Sequence, residues 1–343
     1  MVNIAAYGLD VIFYIGLYSI LTLSLNLEYG FTGLSNFGIV AFFMVGAYTW
    51  AVTTMAGTPA LLAFIASMLA AGVVGFLVSL PALRLRGDYL ALATFVFAEI
   101  MRLIVMNIKA LGGAVGMPFV PHIFPMQELS REAYLAANVL LVYSVLTAFM
   151  LLTYTLLHSP FGRAILAVRE DEEAAQALGK NTTRYKYQVF FLGSVMCGAA
   201  GALYAQYLGF TGVDLFTLTV TFSVWIMCII GGSDSLLGAV VGAAIVEMLA
   251  RSLRVAKDYL LLPIDPNNLM LILTGILMVL FILYKPTGII PAIRVKLRHR
   301  GIHLDVNGKH VAVVGYFKPI FWRFKSAKSL KIVERKRLKG LPA

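Results

Sequence analysis

Seven stretches of about twenty mostly apolar residues recur along the chain, near 9–27, 36–56, 59–80, 90–107, 135–157, 187–209 and 268–285. A helix of that length rises about 30 Å, the thickness of the hydrocarbon core of a bilayer. In lipid every backbone polar group has to be satisfied within the protein, and helices of this length do so segment by segment. The runs therefore predict an all-α fold, a polytopic integral membrane helical bundle. Composition agrees, since 60% of the 343 residues are hydrophobic and 13% charged, against about 25% charged in soluble domains. An ordinary soluble enzyme, a disordered scaffold and a disulfide-rich secreted module are excluded. The 2 cysteines, Cys197 and Cys228, both sit inside apolar runs. The first run has Asp10 rather than basic residues ahead of it and is too long for a cleaved signal, so it is kept as a helix.

Charge is distributed unevenly. The net charge is +11, yet 294–343 alone holds fourteen Lys and Arg against Asp305 and Glu334, a net +12. The basic segments 84–86, 163–186 and 294–343 are expected in the cytoplasm by the positive-inside rule. This divides the chain into a membrane part, 1–293, with a cytoplasmic loop at about 159–186, and a basic cytoplasmic tail, 294–343. The tail reads as retention inside plus attraction to anionic membrane lipid. Its interleaved aromatics suit a membrane surface, and no nucleic-acid partner is expected. An even number of crossings must separate 186 from 294. The apolar pieces 218–230 and 236–250 flank Gly231-Gly232-Ser233-Asp234-Ser235, and each is short. They are expected to form a re-entrant pair or two steep crossings, with the break buried in protein or facing water. About eight to ten membrane segments result, including broken or re-entrant helices. The N-terminal side stays open, because Gly30, Gly33 and Gly38 interrupt the first two runs.

Little in the chain suits catalysis. The five histidines lack metal-ligand spacing, and neither a nucleophile elbow nor a phosphate-cradling glycine loop occurs. No catalytic residues, metal or cofactor are expected, and any ATP-driven step belongs to another chain. Glu99 and Arg102 stand one helical turn apart and can neutralise each other. Glu28 and Glu247 fall near expected helix ends, where partial solvation would account for them. Asp234 is read as a half-helix cap. The lack of a committed intramembrane acid weighs against a proton-coupled carrier. Small residues at four-residue spacing, Gly193, Cys197, Gly201 and Ala205 in one set and Gly238 and Gly242 in another, predict close helix contacts.

The most informative stretch is Ser159–Gly179, where Pro160 can start a helix and Gly179 can end it. Ile165, Val168 and Leu178 would offer an apolar side to a second protein. Within it, Glu173-Ala174-Ala175-x-x-x-Gly179 resembles the EAA loop of ABC-importer permeases. The longer string GRAILAVREDEEAAQALGKNTTRYK resembles the cytoplasmic loop of LivM-type permeases of branched-chain amino-acid importers, the hydrophobic amino acid uptake family. GLSNFGIVAFFMVGAYT at 33–49, LRLRGDYLALATFVFAEIMRLIV at 83–105, IIGGSDSLLGAVVGAAIVEML at 229–249 and YKPTGIIP at 284–291 are similar to further motifs of that family, in the same order. Ser233-Asp234-Ser235 and Ala239 depart from its glycine-proline pattern, and the tail matches nothing in it.

The resemblance implies one of two permease subunits of a binding-protein-dependent ABC importer in the prokaryotic cytoplasmic (inner) membrane. Its implied partners are a LivH-like second permease subunit, two cytoplasmic ATPase subunits and an extracytoplasmic solute-binding protein. Arg163, Arg169, Glu173, Ala174, Ala175 and Gly179 are the residues implied in ATPase coupling. The glycine-broken segments, with Gly33, Ser35, Asn36, Gly38, Gly231, Gly232, Ser233 and Asp234, are the candidate substrate pathway. A urea or short-chain amide importer permease is the alternative within this class. A stand-alone channel or proton-coupled carrier is the alternative outside it.

Overall fold

The computed structural model describes residues 4–85, 87–124 and 130–260, positions 272, 275, 276, 279–281, 283, 284 and 288–290, and two short strands at 303–306 and 309–312. The chain divides into two units, Met1–Ile293 and Arg294–Ala343. Among the described residues up to 260, ten α-helices follow one another: α1 (Ile4–Leu25), α2 (Ile39–Met55), α3 (Ala60–Ala82), α4 (Gly87–Asn107), α5 (Arg131–His158), α6 (Pro160–Glu170), α7 (Glu172–Ala177), α8 (Thr182–Leu208), α9 (Leu218–Gly231) and α10 (Leu236–Leu260). A π-helical turn, Asn26–Gly30, extends α1. Among the described residues, six helical stretches are long and apolar enough to cross a membrane: Ala5–Gly30, which joins α1 to the π turn, α3, α4, α5, α8 and Val213–Gly231, which contains α9. Helix α2 is a shorter apolar helix. This is the polytopic helical bundle that the run lengths predict. The expected span 268–285 lies largely outside the described residues.

Helices α1 and α8 are mostly buried, whereas α3, α4 and α5 expose most of their surface. The small residues explain how α8 fits between its neighbours. Gly193 lies against the Glu28 side chain, and Gly201 against the backbone of Phe43 and Ala47. Cys197 Sγ is 3.2 Å from Ser24 Oγ. Between them Gly198 meets Gly46 and Ala71, and a Cβ added there would come within 2.7 Å of the Ser67 carbonyl oxygen. With no hydrophobic force to drive helices together in lipid, backbone approach of this kind supplies the dispersion contact that holds them. Gly238 and Gly242 do the same for the α9–α10 pair, packing on Gly231 and Met227.

Helices α9 and α10 form an antiparallel hairpin that traverses the bundle. The Gly231–Ser235 break lies beside Arg169 of α6. At the other end Arg251 of α10 reaches Asp10 of α1 at 2.6 Å. The pair runs the length of α1, from the Gly30 end to Asp10. Helix α10 runs past the end of its apolar run at 250, which changes the reading of Glu247. It is 7% exposed and lies 3.4 Å from Arg251, one turn on, rather than at a solvated helix end. Arg251 also sits 4.0 Å over the ring of Tyr14. At that same end β1 (Met117–Pro118) pairs antiparallel with β2 (Phe210–Thr211), joining the loops after α4 and α8. In the second unit β3 (His303–Val306) pairs antiparallel with β4 (Lys309–Ala312), His303 opposite Ala312.

Gly198→Leu tests the packing of α8. A branched side chain cannot enter between α2 and α3 without parting them, and overpacking of this kind costs about 1–3 kcal/mol or more. The melting temperature in detergent is expected to fall by several degrees, with an aggregated fraction on size exclusion. A surface change such as Leu140→Ala should leave both unchanged.

Candidate functional site

Four segments far apart in sequence converge at the end of the bundle that carries α6 and α7. The first is the turn Asn26–Gly30 with the non-helical stretch 31–38 after it. Glu28 is fully buried here, because the π turn carries it back into the bundle against Gly193 of α8. The partial solvation expected of it at a helix end does not occur. Asn36 donates from Nδ2 to Glu28 Oε2 at 2.7 Å, and its Oδ1 accepts from the Gly38 amide at 2.7 Å. Its carbonyl accepts from the indole of Trp225 on α9 at 3.0 Å. Thr94 of α4 accepts from the Phe37 amide at 3.0 Å. Each irregular backbone group named here is thereby paired within the protein, as burial requires.

The second segment is the α9–α10 break. Asn26 donates from Nδ2 to the Ser235 carbonyl at 2.7 Å, and Gly30 lies directly against the Ser233 carbonyl, where any side chain would collide. Ser235 Oγ accepts from the Gly238 amide at 3.1 Å, so Ser235, not Asp234, caps α10. The third segment is 288–290. The amides of Ile289 and Ile290 donate to the carbonyls of Ile230 and Gly231 at 2.9 and 3.1 Å, closing the last turn of α9. Gly288, at φ 72°, packs on Gly232.

The fourth is α6, and it ties the others together. Arg169 turns inward from its end, bridging Asp234 at 2.5 and 3.1 Å and also donating to the Gly30 carbonyl. Gly33, at φ 77°, rests on the stem of the same arginine. One guanidinium thus holds both glycine breaks at once, a use that its planar fork permits and a lysine would not. Ile165 and Val168 are buried in the chain's own bundle, so the apolar side expected to await a second protein is already covered. Ser159 caps α6 and Asp171 caps α7, the latter accepting from the Ala174 amide at 3.0 Å. Lys186 of α8 fixes the elbow through Glu172 at 2.6 Å.

What the elbow leaves outward is a short ridge. Arg163, Glu173, Ala174 and Gly179 are exposed, Gly179 at φ 77°, and Leu178 stands 82% exposed at its tip. Ala175 is buried. Of the six residues expected to couple to a partner, Arg169 and Ala175 therefore face the bundle and the other four face out. Gly33, Ser35, Asn36, Gly38 and Gly231–Asp234 all belong to the convergent end. Sequence reasoning missed Asn26, Trp225 and the role of Glu28. A run of Asn-Leu-Glu-Tyr-Gly inside an otherwise apolar segment is the signal that a helix there is breaking within protein.

The profile of the family described as branched-chain amino acid transport system / permease component matches residues 7–282. The chain belongs to that permease family. The permease is similar to the high-affinity branched-chain amino acid transport system permease protein LivM of Salmonella typhimurium, at 33% identity over 82% of this chain and 69% of that one. The LivM of Escherichia coli matches at the same identity and coverage. A probable branched-chain amino acid transport permease LivM of Methanocaldococcus jannaschii is 29% identical over 82% of this chain and 92% of its own. The start of the motif at 33–49, the glycine break of the motif at 229–249 and residues 288–290 of the closing motif meet at this end of the permease, together with the loop at 159–179.

Removing the guanidinium tests whether it holds the two breaks. In Arg169→Ala, amide hydrogen exchange across 30–38 and 231–235 is expected to quicken roughly tenfold, corresponding to about 1.4 kcal/mol, the scale of a charge-assisted bond set that stays partly wet. Exchange at the far-end pairing of Met117 with Thr211 should stay as it was.

Proposed function

We propose that the chain is one of two permease subunits of a binding-protein-dependent ABC importer. It would translocate branched-chain or other hydrophobic amino acids across the prokaryotic cytoplasmic membrane. The α6–α7 elbow faces the cytoplasm in this reading, as its basic surroundings favour, and the basic C-terminal tail lies on the same side. The N-terminus then begins outside. ATP is hydrolysed on two separate cytoplasmic subunits, a LivH-like permease completes the pathway, and an external solute-binding protein delivers the substrate. The substrate class rests on the curated relatives, whose names state branched-chain amino acid transport.

The single observation that carries the reading is the architecture of the elbow. Its outer surface presents Glu173, Ala174 and the bare Leu178 knob, while its inner surface is locked to both glycine breaks through Arg169. A projecting helix pair that was only a surface loop would have no need of such an anchor. In the proposed cycle the ATPase subunits clasp the ridge, and their closure displaces α6. The displacement passes directly to 30–38 and 231–235, which are the candidate gate.

Glu173→Lys and Leu178→Asp alter only the outward surface. Both variants are expected to fold and to reach the membrane, and to lose copurification with the ATPase subunits in mild detergent. Substrate-stimulated ATP hydrolysis should fall at least tenfold. Unimpaired copurification and uptake in both would refute docking at this ridge.

A further inference from the structure

An ion pair lies where a lipid-facing helix should not carry one. Helix α4 buries Leu90, Thr94, Ala98 and Val105 along one stripe and exposes Leu92, Val96, Ile100 and Leu103 on the opposite side. On the flank between them Arg102 grips Glu99 at 2.6 Å. Arg102 remains 24% exposed and Glu99 34%, about 22 and 18 Å respectively along a helix about 31 Å long. Charges at such depth are costly against hydrocarbon and face water, protein or a solute path instead. The flank is also lined with rings. Phe95 meets Phe222 of α9 at 6.2 Å, Phe222 meets Phe37 at 6.1 Å, and Phe37 stacks on Trp225 at 4.4 Å. The indole of Trp225 holds the Asn36 carbonyl in the first glycine break. A continuous aromatic track therefore runs from the ion pair in the half away from α6 to the break that Arg169 holds.

From this geometry we infer that Glu99 and Arg102 form a zwitterion-recognition step on the solute path, with Phe95 and Phe222 contacting the apolar side chain as it passes. The inference rests on the importer reading and says where in this subunit the amino acid travels. The guanidinium fork suits an α-carboxylate and the carboxylate of Glu99 suits an α-ammonium. A zwitterion inserts by exchanging one internal bond for two of the same kind, so the Glu99–Arg102 pair itself carries no net charge whether empty or filled. Because the pair re-forms on departure, holding is weak, as a path rather than a store requires.

The test uses the complete importer in proteoliposomes, with radiolabelled leucine as the solute. Cys197 and Cys228 are buried and can remain. Phe95→Cys and Phe222→Cys are expected to react with a negatively charged methanethiosulfonate, and leucine during ATP-driven turnover should slow the reaction at least tenfold. Val96→Cys, on the lipid side, should stay inert, and Phe119→Cys, in the exposed loop before α5, should react without protection. The exchange E99R/R102E keeps both charges and the neutral pair. It is expected to restore assembly lost in either single change, yet leave leucine uptake at least tenfold below that of the unaltered importer. Inert cysteines at both track positions, or full uptake by the exchange variant, would overturn the inference by making the pair purely structural. If the unaltered importer carries no leucine, the importer reading fails instead.

Discussion

A helix that stops inside packed protein leaves amide and carbonyl groups that neither apolar side chains nor a neighbouring turn can satisfy. Each such group left unpaired costs about 1–3 kcal/mol and more where water is excluded. This protein interrupts its helices twice at one end, after α1 and between α9 and α10, and the remainder of that end is built to meet the cost. Asn36 answers three partners within a few residues. Asn26 reaches across to the Ser235 carbonyl, and the amides of Ile289 and Ile290 cover the end of α9. Glycine is needed at 30 because its Cα lies against the Ser233 carbonyl, and at 33 because φ is positive there. The two breaks thus brace one another, and Arg169 is placed where they touch.

The helical class and the order of spans were legible because apolar run length speaks directly to helix length in lipid. The close contacts of Gly193, Gly201, Gly238 and Gly242 were legible for a similar reason, since spacing on one helix is a local property. Glu247 was misjudged because hydropathy falls at Arg251 while the helix does not. The ion pairs with Asp10 and Glu247, and the ring of Tyr14, let α10 carry its charges onward. Glu28 was misjudged for the converse reason. A carboxyl beside glycines looks solvated until the packing of α8 closes over it, with Asn36 holding one oxygen and the other unpaired among the described residues.

The candidate site was legible as a set of motifs and illegible as an arrangement. The loop at 159–179 could be recognised, but its amphipathic pattern cannot say whether a chain's own spans or another protein covers the apolar side. Ile165 and Val168 are covered by the chain's own spans, and Leu178 stands exposed. The direction of Arg169 was likewise undecidable from sequence, since its partners are 139 and 65 residues away.

That arrangement constrains how force can pass through the subunit. Anchored by Ile165, Val168 and Arg169, α6 is not a hinged paddle, and a push on the outer ridge cannot be absorbed within the elbow. Through Glu172 it reaches Lys186 of α8, and through Arg169 the carbonyl of Gly30 and the carboxylate of Asp234. Those groups stand at the ends of α1 and α9, and Trp225 of α9 grips the stretch 31–38 from its far side. Packed elements switch between discrete arrangements rather than deforming smoothly. A shift of one break without the other would strand buried polar groups, so the two are bound to change together. Phe37 stacks on Trp225, which holds the Asn36 carbonyl, so in the proposed cycle a displacement begun at α6 would first reach the inner end of the aromatic track between α4 and α9.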